Sequence, residues 1–300
     1  MKLTQQQIET VVSRASKALA DYCMHFGIMS TVTGVSGGLD SAVTLALSQK
    51  AVEYASKKGY EMKSLGLILP CHSDPQHAIL AKKVIKKFGA ELLEIDLTGI
   101  FERIEEGILK PVAEELVEYH SEAKTARYRT SQGNVKARLR MALGTYYVAN
   151  MVNGLVLSTD NYSEYWMGFW TLHGDVGDYG MIQELWKGSE LIQIAEYLGV
   201  PQEVIDAAPT DGLGVLPGGD EAQLGAPYAV VDTILRALMK SGVDLNGSLE
   251  QLKKLPRVEG VSVELVRNIT ERALRNAFKR QSPKHLSRDM LGLSRASTKR

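Results

Sequence analysis

The stretch Thr33-Gly34-Val35-Ser36-Gly37-Gly38-Leu39-Asp40-Ser41 concentrates glycines, serines and one aspartate where a β-branched run gives way to helical periodicity. Those residue types support two chemistries. Gly34-Val35-Ser36-Gly37-Gly38 has the G-x-S-x-G form of a nucleophile elbow, in which Ser36 would attack an acyl carbon. The same residues also form a glycine-rich turn that opens a helix, where backbone N–H groups and the positive end of the dipole hold phosphate. The elbow needs an acid and then a histidine later in the chain. Of His72, His77, His120, His173 and His285 only the last lies late, in a basic tail. An elbow also leaves Asp40 and Ser41 without a task. The phosphate loop uses every polar residue: Ser36 and Ser41 donate hydroxyls, and Asp40 tolerates phosphate across a divalent cation such as Mg²⁺. It is not a Walker A loop, because the G-K-[ST] lysine is missing.

The elements that must position this loop follow from periodicity. Residues 30–35, 63–70, 90–97 and 155–160 read as strands. Helical spacing covers 41–59 and 75–89, each ending at glycine, and then 101–125 and 132–154. Strands alternating with helices of this length predict βαβ units and a parallel sheet. Ligands bind such sheets at the carboxyl ends of the strands, which is where both the loop and Ser158-Thr159-Asp160-Asn161-Tyr162-Ser163-Glu164 begin. Beyond residue 160 the pattern is helical, with a glycine- and proline-dense loop at 208–228 expected to be ordered and functional, a lid, or both.

Composition narrows the class. With 35 basic and 35 acidic residues the net charge is zero, so no global field draws the chain to nucleic acid or to a membrane surface. Cys23 and Cys71 are the only cysteines and make neither a disulfide framework nor a zinc site. No stretch approaches the roughly 18 apolar residues of a membrane span, and the charged amphipathic start lacks the apolar core of a signal peptide. A cytoplasmic protein is expected.

Ser36-Gly37-Gly38-Leu39-Asp40-Ser41 resembles the pyrophosphate loop of N-type ATP pyrophosphatases, which cleave ATP between its α- and β-phosphates. Within that superfamily the resemblance narrows to NAD synthetases. It is carried, in order, by the segments 134–141, 155–164, 167–175, 209–213 and 220–232, over about residues 30–285. The resemblance implies an α/β fold: a Rossmann-like (adenine nucleotide alpha hydrolase-like) parallel sheet flanked by helices, with a helical C-terminal region. Residues 1–285 would form one domain and 286–300 a mobile basic tail.

It also implies adenylation of the nicotinate carboxylate of deamido-NAD by ATP, then displacement of AMP by ammonia. By resemblance Gly34, Val35, Ser36, Gly37, Gly38, Leu39, Asp40, Ser41, Thr159, Lys187 and Thr210 contact ATP, and Asp40 with Glu164 binds Mg²⁺. Asp40, Glu164 and Lys187 would be the catalytic set. Arg138, Asp178 and Lys279 would meet deamido-NAD, whereas Arg140 could be purely structural. The resemblance implies a homodimer; with 29 residues before the first strand no amidase domain is expected, so the chain should use free ammonia or ammonia from a separate partner. The sequence departs from the family pattern at Leu172, where a lysine is usual, at Tyr179, where the last aspartate of G-D-G-G-x-D is replaced or has slipped to Asp178, and at Phe278, where a histidine usually precedes the lysine. All lie on the acceptor side. The rival classes are another adenylating enzyme of the superfamily with a different carboxylate or carbonyl acceptor, a serine hydrolase, and a non-catalytic nucleotide sensor.

Overall fold

The computed structural model describes residues 2–116, 122–210, 212–213 and 218–293. Its centre is strand β1 (Ser30–Gly34), whose first four residues are buried. β1 pairs in parallel with β2 (Lys63–Ile68) on one side and β4 (Gly154–Ser158) on the other. β3 (Glu91–Glu94) extends the sheet beyond β2, and β5 (Tyr179–Gly180) lies beyond β4, giving the order β3-β2-β1-β4-β5. The chain leaves β1 in one direction for β2 and β3 and returns on its other side as β4. The carboxyl ends of β1 and β4 therefore flank the switch point, where a crevice opens.

Helices cover both faces. On one lie α1 (Gln5–Phe26), α2 (Leu39–Lys57) and α3 (Pro75–Phe88). α1 starts from a reciprocal cap between Thr4 and Gln7 and stops at Gly27 in the left-handed region. α2 is buried along its first two turns and beyond, and its Ser48 hydroxyl bridges Thr31 of β1 (2.6 Å) and Ser64 of β2 (2.9 Å). That chain of hydroxyls satisfies polar groups that would otherwise be buried alone. Ile8, Val12, Val43, Leu47, Ile85, Leu191 and Ile194 fill this side.

The other face carries α4 (Thr98–Ile104), a π-helical turn (Glu105–Leu109), α5 (Lys110–Leu116), α6 (Glu122–Leu139), a second π-helical turn (Arg140–Tyr146) and α7 (Tyr147–Met151). Residues 122–151 are thus one continuous helical run, and the break expected between 125 and 132 is not seen. Gly144 sits inside this run because a side chain there would meet Leu69 within 2.5 Å. After β4 come α8 (Tyr162–Met167), a π-helical turn (Lys187–Leu191), α9 (Ile192–Leu198), α10 (Gln202–Ile205), α11 (Gly219–Leu224), α12 (Tyr228–Lys240) and α13 (Val263–Arg275).

The apolar faces of α12 and α13 close on α8 through Met167, Val231, Leu235, Val266 and Ile269, forming the helical C-terminal region. Trp186 is buried there with Trp166 and Phe169 packed alongside, so these aromatics are core. Parallel pairing, the flanking helices and this C-terminal body match the α/β expectation. The tail is exposed as far as residue 293, and 294–300 lie outside the described residues, as do residues 211 and 214–217 of the glycine-rich loop. Among the described residues no helix is long and apolar enough to cross a membrane.

The expected strand over 90–97 shrinks to the exposed edge Glu91–Glu94, and β5 has no periodic signal because it is two residues long. β5 forms because Gly177 lets the backbone come alongside β4: an added Cβ would lie 2.6 Å from the carbonyl carbon of Leu157 and the nitrogen of Ser158. Backbone cannot yield as a side chain can. Gly177→Ala is expected to cost about 1–3 kcal/mol by overpacking, read as a lower urea midpoint; an unchanged midpoint would show that the contact relaxes freely.

Candidate active site

The loop between β1 and α2 is shaped by its own polar groups. Gly37 adopts φ +85° and presses on α3, where a Cβ would meet the carbonyl oxygen of His77 at 2.4 Å, so only glycine fits. The backbone N–H of Ser36 and the hydroxyl of Ser36 both reach the Ser41 hydroxyl at 3.2 Å. The Gly38 N–H donates to Ser36 Oγ at 3.3 Å and Ser41 Oγ donates to the Gly38 carbonyl at 3.1 Å. These contacts hold the turn open at the N-terminus of a 19-residue helix. The first turn of α2 then carries Asp40.

β4 delivers the opposite wall. Asn161 caps α8, accepting from the Glu164 N–H at 3.0 Å, while its Nδ2 donates to Asp40 Oδ1 at 2.8 Å. One asparagine therefore fixes the start of α8 and the carboxylate of α2 together. Lys187, 7% exposed, enters from the turn before α9. Its ammonium lies 2.9 Å from Asp40 Oδ2, 3.0 Å from Glu164 Oε1 and 3.7 Å from Asp220 Oδ2, and 4.3 Å from the centre of the Tyr228 ring. The Tyr228 hydroxyl donates to Glu164 Oε1 (3.0 Å) and Asp220 Oδ2 (3.3 Å).

The electrostatics follow from burial. Desolvation pushes the Glu164 carboxyl up to about 7 against the pull of the Lys187 ammonium, and Asp40 and Asp220 push the same way. Burial alone would discharge Lys187, but the carboxylates of Asp40, Glu164 and Asp220 outweigh it and keep the ammonium charged. Asp160, buried beside Ser158, is raised well above the carboxylate range, first by burial and then by Asp175 and Glu164. The site is an acid-rich pocket in which one lysine offsets part of the negative charge.

A cleft of about 660 Å³ opens over this cluster. Gly34, Val35, Ser36, Asp40, Ser41, Thr159, Glu164, Lys187 and Thr210 line it, as the sequence implies. Gly37, Gly38 and Leu39 shape the loop without lining the cleft, and Leu39 packs into the core behind it. Arg140 donates to the Leu69 carbonyl (3.1 Å), to Ser73 Oγ (3.1 Å) and to the Gly212 carbonyl (3.2 Å), which ties the end of β2 to the glycine-rich loop.

The residues expected to meet the acceptor stand elsewhere. Arg138, Asp178 and Lys279 do not line the cleft. The exposed Arg138 donates from Nε to the Leu172 carbonyl at 3.2 Å. Lys279 caps the carbonyls of Gly168 (2.8 Å) and Trp170 (2.6 Å). Asp178 accepts from the Tyr146 hydroxyl at 2.5 Å, while Tyr179 turns away to pack against Tyr22 of α1. His173, the neighbour of Leu172, is exposed at φ +59°.

Residues not singled out from the sequence complete the cluster: Asn161, Asp220, Tyr228, and behind them Ser163 and Asp232. Asp232 accepts from Ser163 Oγ (2.5 Å) and the Gly188 N–H (2.9 Å), and burial raises its carboxyl to about 6. One signal was available, since Tyr228 and Asp232 fall one helical turn apart in an otherwise apolar stretch.

The model of the family described as NAD synthase matches residues 11–283. The chain is similar to the NH(3)-dependent NAD(+) synthetase of Thermococcus kodakarensis, 34% identical over 277 residues that cover 92% of this chain and 94% of that protein. It is also similar to the NH(3)-dependent NAD(+) synthetase of Methanocaldococcus jannaschii, 30% identical with 93% and 96% covered. Among solved structures, the NMN synthetase from Francisella tularensis superposes with TM-score 0.70 at 25% identity, covering 93% of this chain and 98% of that one. The NH3-dependent NAD synthetase from Campylobacter jejuni superposes with TM-score 0.67 at 22% identity, covering 93% and 99%, a likeness of fold. The phosphate loop, the parallel sheet with its switch point and the extent of the match agree: the chain belongs to the NAD synthase family.

Proposed function

We propose that this chain makes NAD by amidating deamido-NAD with ammonia at the expense of ATP, through an acyl-adenylate and with release of AMP and pyrophosphate. The observation that carries this reading is the meeting of Asp40, Glu164 and Lys187 at the open end of a phosphate-holding loop. A carboxylate resists attack by ammonia because oxide would have to leave. When a carboxylate oxygen attacks the α-phosphorus of ATP, pyrophosphate departs and the acyl carbon gains AMP as its leaving group. Ammonia then adds at that carbon, AMP leaves, and a proton is lost from nitrogen. The protein's part is to orient the reactants and stabilise charge.

Gly34 to Ser41 would cradle the phosphates, with Thr159 and Thr210 contacting ATP from the other walls of the cleft. Among the described residues no group of three or more His, Cys, Asp or Glu forms a closed metal cage. Asp40 and Glu164 each turn one oxygen to the Lys187 ammonium, and the lone pairs their carboxylates keep toward the cleft are hard donors that would suit Mg²⁺ shared with phosphate. When bound, Mg²⁺ would neutralise phosphate charge. Lys187 lies where it can take up charge on the departing pyrophosphate. Arg138, Asp178 and Lys279 lie outside the cleft, and we assign them to deamido-NAD on the resemblance alone. Residues 1–285 act as one catalytic unit in this account, since α2, α8 and α12 all contribute to the cluster. A cytoplasmic setting suits the buried free thiols of Cys23 and Cys71.

The direct test incubates the protein with ATP, Mg²⁺, ammonium and deamido-NAD, with nicotinate mononucleotide run in parallel because one similar structure is an NMN synthetase. NAD, AMP and pyrophosphate should form in equal amounts. A mononucleotide amide as the main product would move the reading to the smaller acceptor, and ADP would overturn it. Asp40→Asn and Glu164→Gln should each lower kcat by about a hundredfold or more, about 3 kcal/mol of transition-state stabilisation. Near-normal turnover in either removes that residue from the site.

We infer that the working form is a homodimer. Leu143, Tyr147 and Met151 recur at helical spacing along the exposed side of the α6–α7 run and are 41%, 61% and 70% exposed, and Ile108, Val112 and Leu116 are exposed along α5 and the π-helical turn before it. Apolar ridges of this kind mark interfaces. Replacing Tyr147 and Met151 together by glutamate should shift the mass in light scattering from two chains to one; an unaltered dimer, or a wild-type monomer, rules this surface out.

A further inference from the structure

We propose that Ser163 and Asp232 are positioning residues for the reaction: a buried brace that sets Glu164 and Lys187 at the spacing the cluster needs. The inference rests on the functional reading above. Ser163 precedes Glu164 on α8 and is fully buried. Its hydroxyl donates to Asp232 Oδ1 at 2.5 Å and accepts from the backbone N–H of Lys187 at 3.0 Å. The other oxygen of Asp232 accepts from the Gly188 N–H at 2.9 Å and lies 3.5 Å from the Ser189 hydroxyl. Asp232 thus clasps the neighbours of both residues and touches neither itself.

The rest of α12 works to the same end. One turn earlier, Tyr228 donates to Glu164, so one helix face holds Glu164 by a phenol and the Lys187 turn by a carboxylate. One turn later, Arg236 pairs with Glu190 of that turn at 2.8 Å. Gly188 is jammed against the start of α12, where an added Cβ would lie 2.4 Å from the Ala229 nitrogen. The Lys187 turn therefore cannot slide along α12, and the brace fixes its register. The Asp232 carboxylate takes three donors from two different segments, within the four or so it can accept. Here the donors are the flanks of the two residues whose separation matters, and a misplacement on the order of 1 Å is costly in catalysis.

The test is Ser163→Ala, which deletes only the hydroxyl at the centre of the brace. Expected are a kcat lowered by about tenfold or more, a KM for ATP changed by less than about threefold, and one cooperative thermal transition at reduced Tm. A second readout does not depend on turnover. By calorimetry with α,β-methylene ATP, the Mg²⁺ midpoint should rise by about threefold or more, because Glu164 is no longer held in register. Should Ser163→Ala fail to fold, Asp232→Asn, which keeps the shape and one acceptor, carries the same expectations. A lowered Tm with kcat and Mg²⁺ midpoint within twofold of wild type would make the brace purely structural and overturn the proposal. A wild type that makes no amide from any nicotinate nucleotide would instead overturn the functional reading.

Discussion

A buried ammonium among buried carboxylates is the constraint on which the site depends. Lys187 alone in this pocket would discharge, and Asp40, Glu164 and Asp220 without it would repel one another in a poorly solvated space. Neither arrangement is stable without the other. Each partner also comes from a different element: Asp40 from α2, Glu164 from α8, Lys187 from the turn before α9, and Asp220 from α11. Bringing those elements together requires the β1–β4 switch point in the sheet and the α12 packing in the helical body. The charge cluster is therefore where the parallel sheet and the helical C-terminal region are tied to one another. Asp40, Glu164 and Asp220 all border the cleft, which is what the proposed Mg²⁺ role of Asp40 and Glu164 rests on.

Local patterns were legible in the sequence, and contacts between distant segments were not. The phosphate loop could be read because all its determinants fall within nine residues: the glycines set the turn, the serines close it, and Asp40 starts the helix. The parallel sheet could be read from alternating strands and helices. Helical spacing predicts a break between 125 and 132 that does not form: residues 122–151 run on as one helical stretch, within which Gly144 admits Leu69. β5 gave no signal because two residues have no period, and its existence depends on the bare backbone at Gly177.

The candidate site divides in the same way. Asp40 followed from the loop's own chemistry, while Glu164 and Lys187 came from resemblance and then proved to share one charge cluster. Tyr228 and Asp232 lie in the segment 220–232 that carries the resemblance, but their roles depend on partners 64 and 69 positions away rather than on their neighbours. The acceptor side is the least determined by the chain alone. Arg138 and Lys279 are spent on carbonyls of the 168–172 segment and Asp178 on Tyr146, all outside the cleft that holds the cluster. Tyr146, the partner of Asp178, adjoins Tyr147 of the apolar ridge.

The central claim is that the carboxylate of the acceptor is activated by attack on the α-phosphorus at this cluster. Its most direct test is to label both carboxylate oxygens of deamido-NAD with oxygen-18 and follow the label through one turnover. Transfer to phosphorus followed by cleavage of the acyl carbon–oxygen bond predicts AMP carrying one labelled oxygen, with unlabelled pyrophosphate. Label in pyrophosphate or orthophosphate, or AMP free of label while the amide forms, would contradict the account.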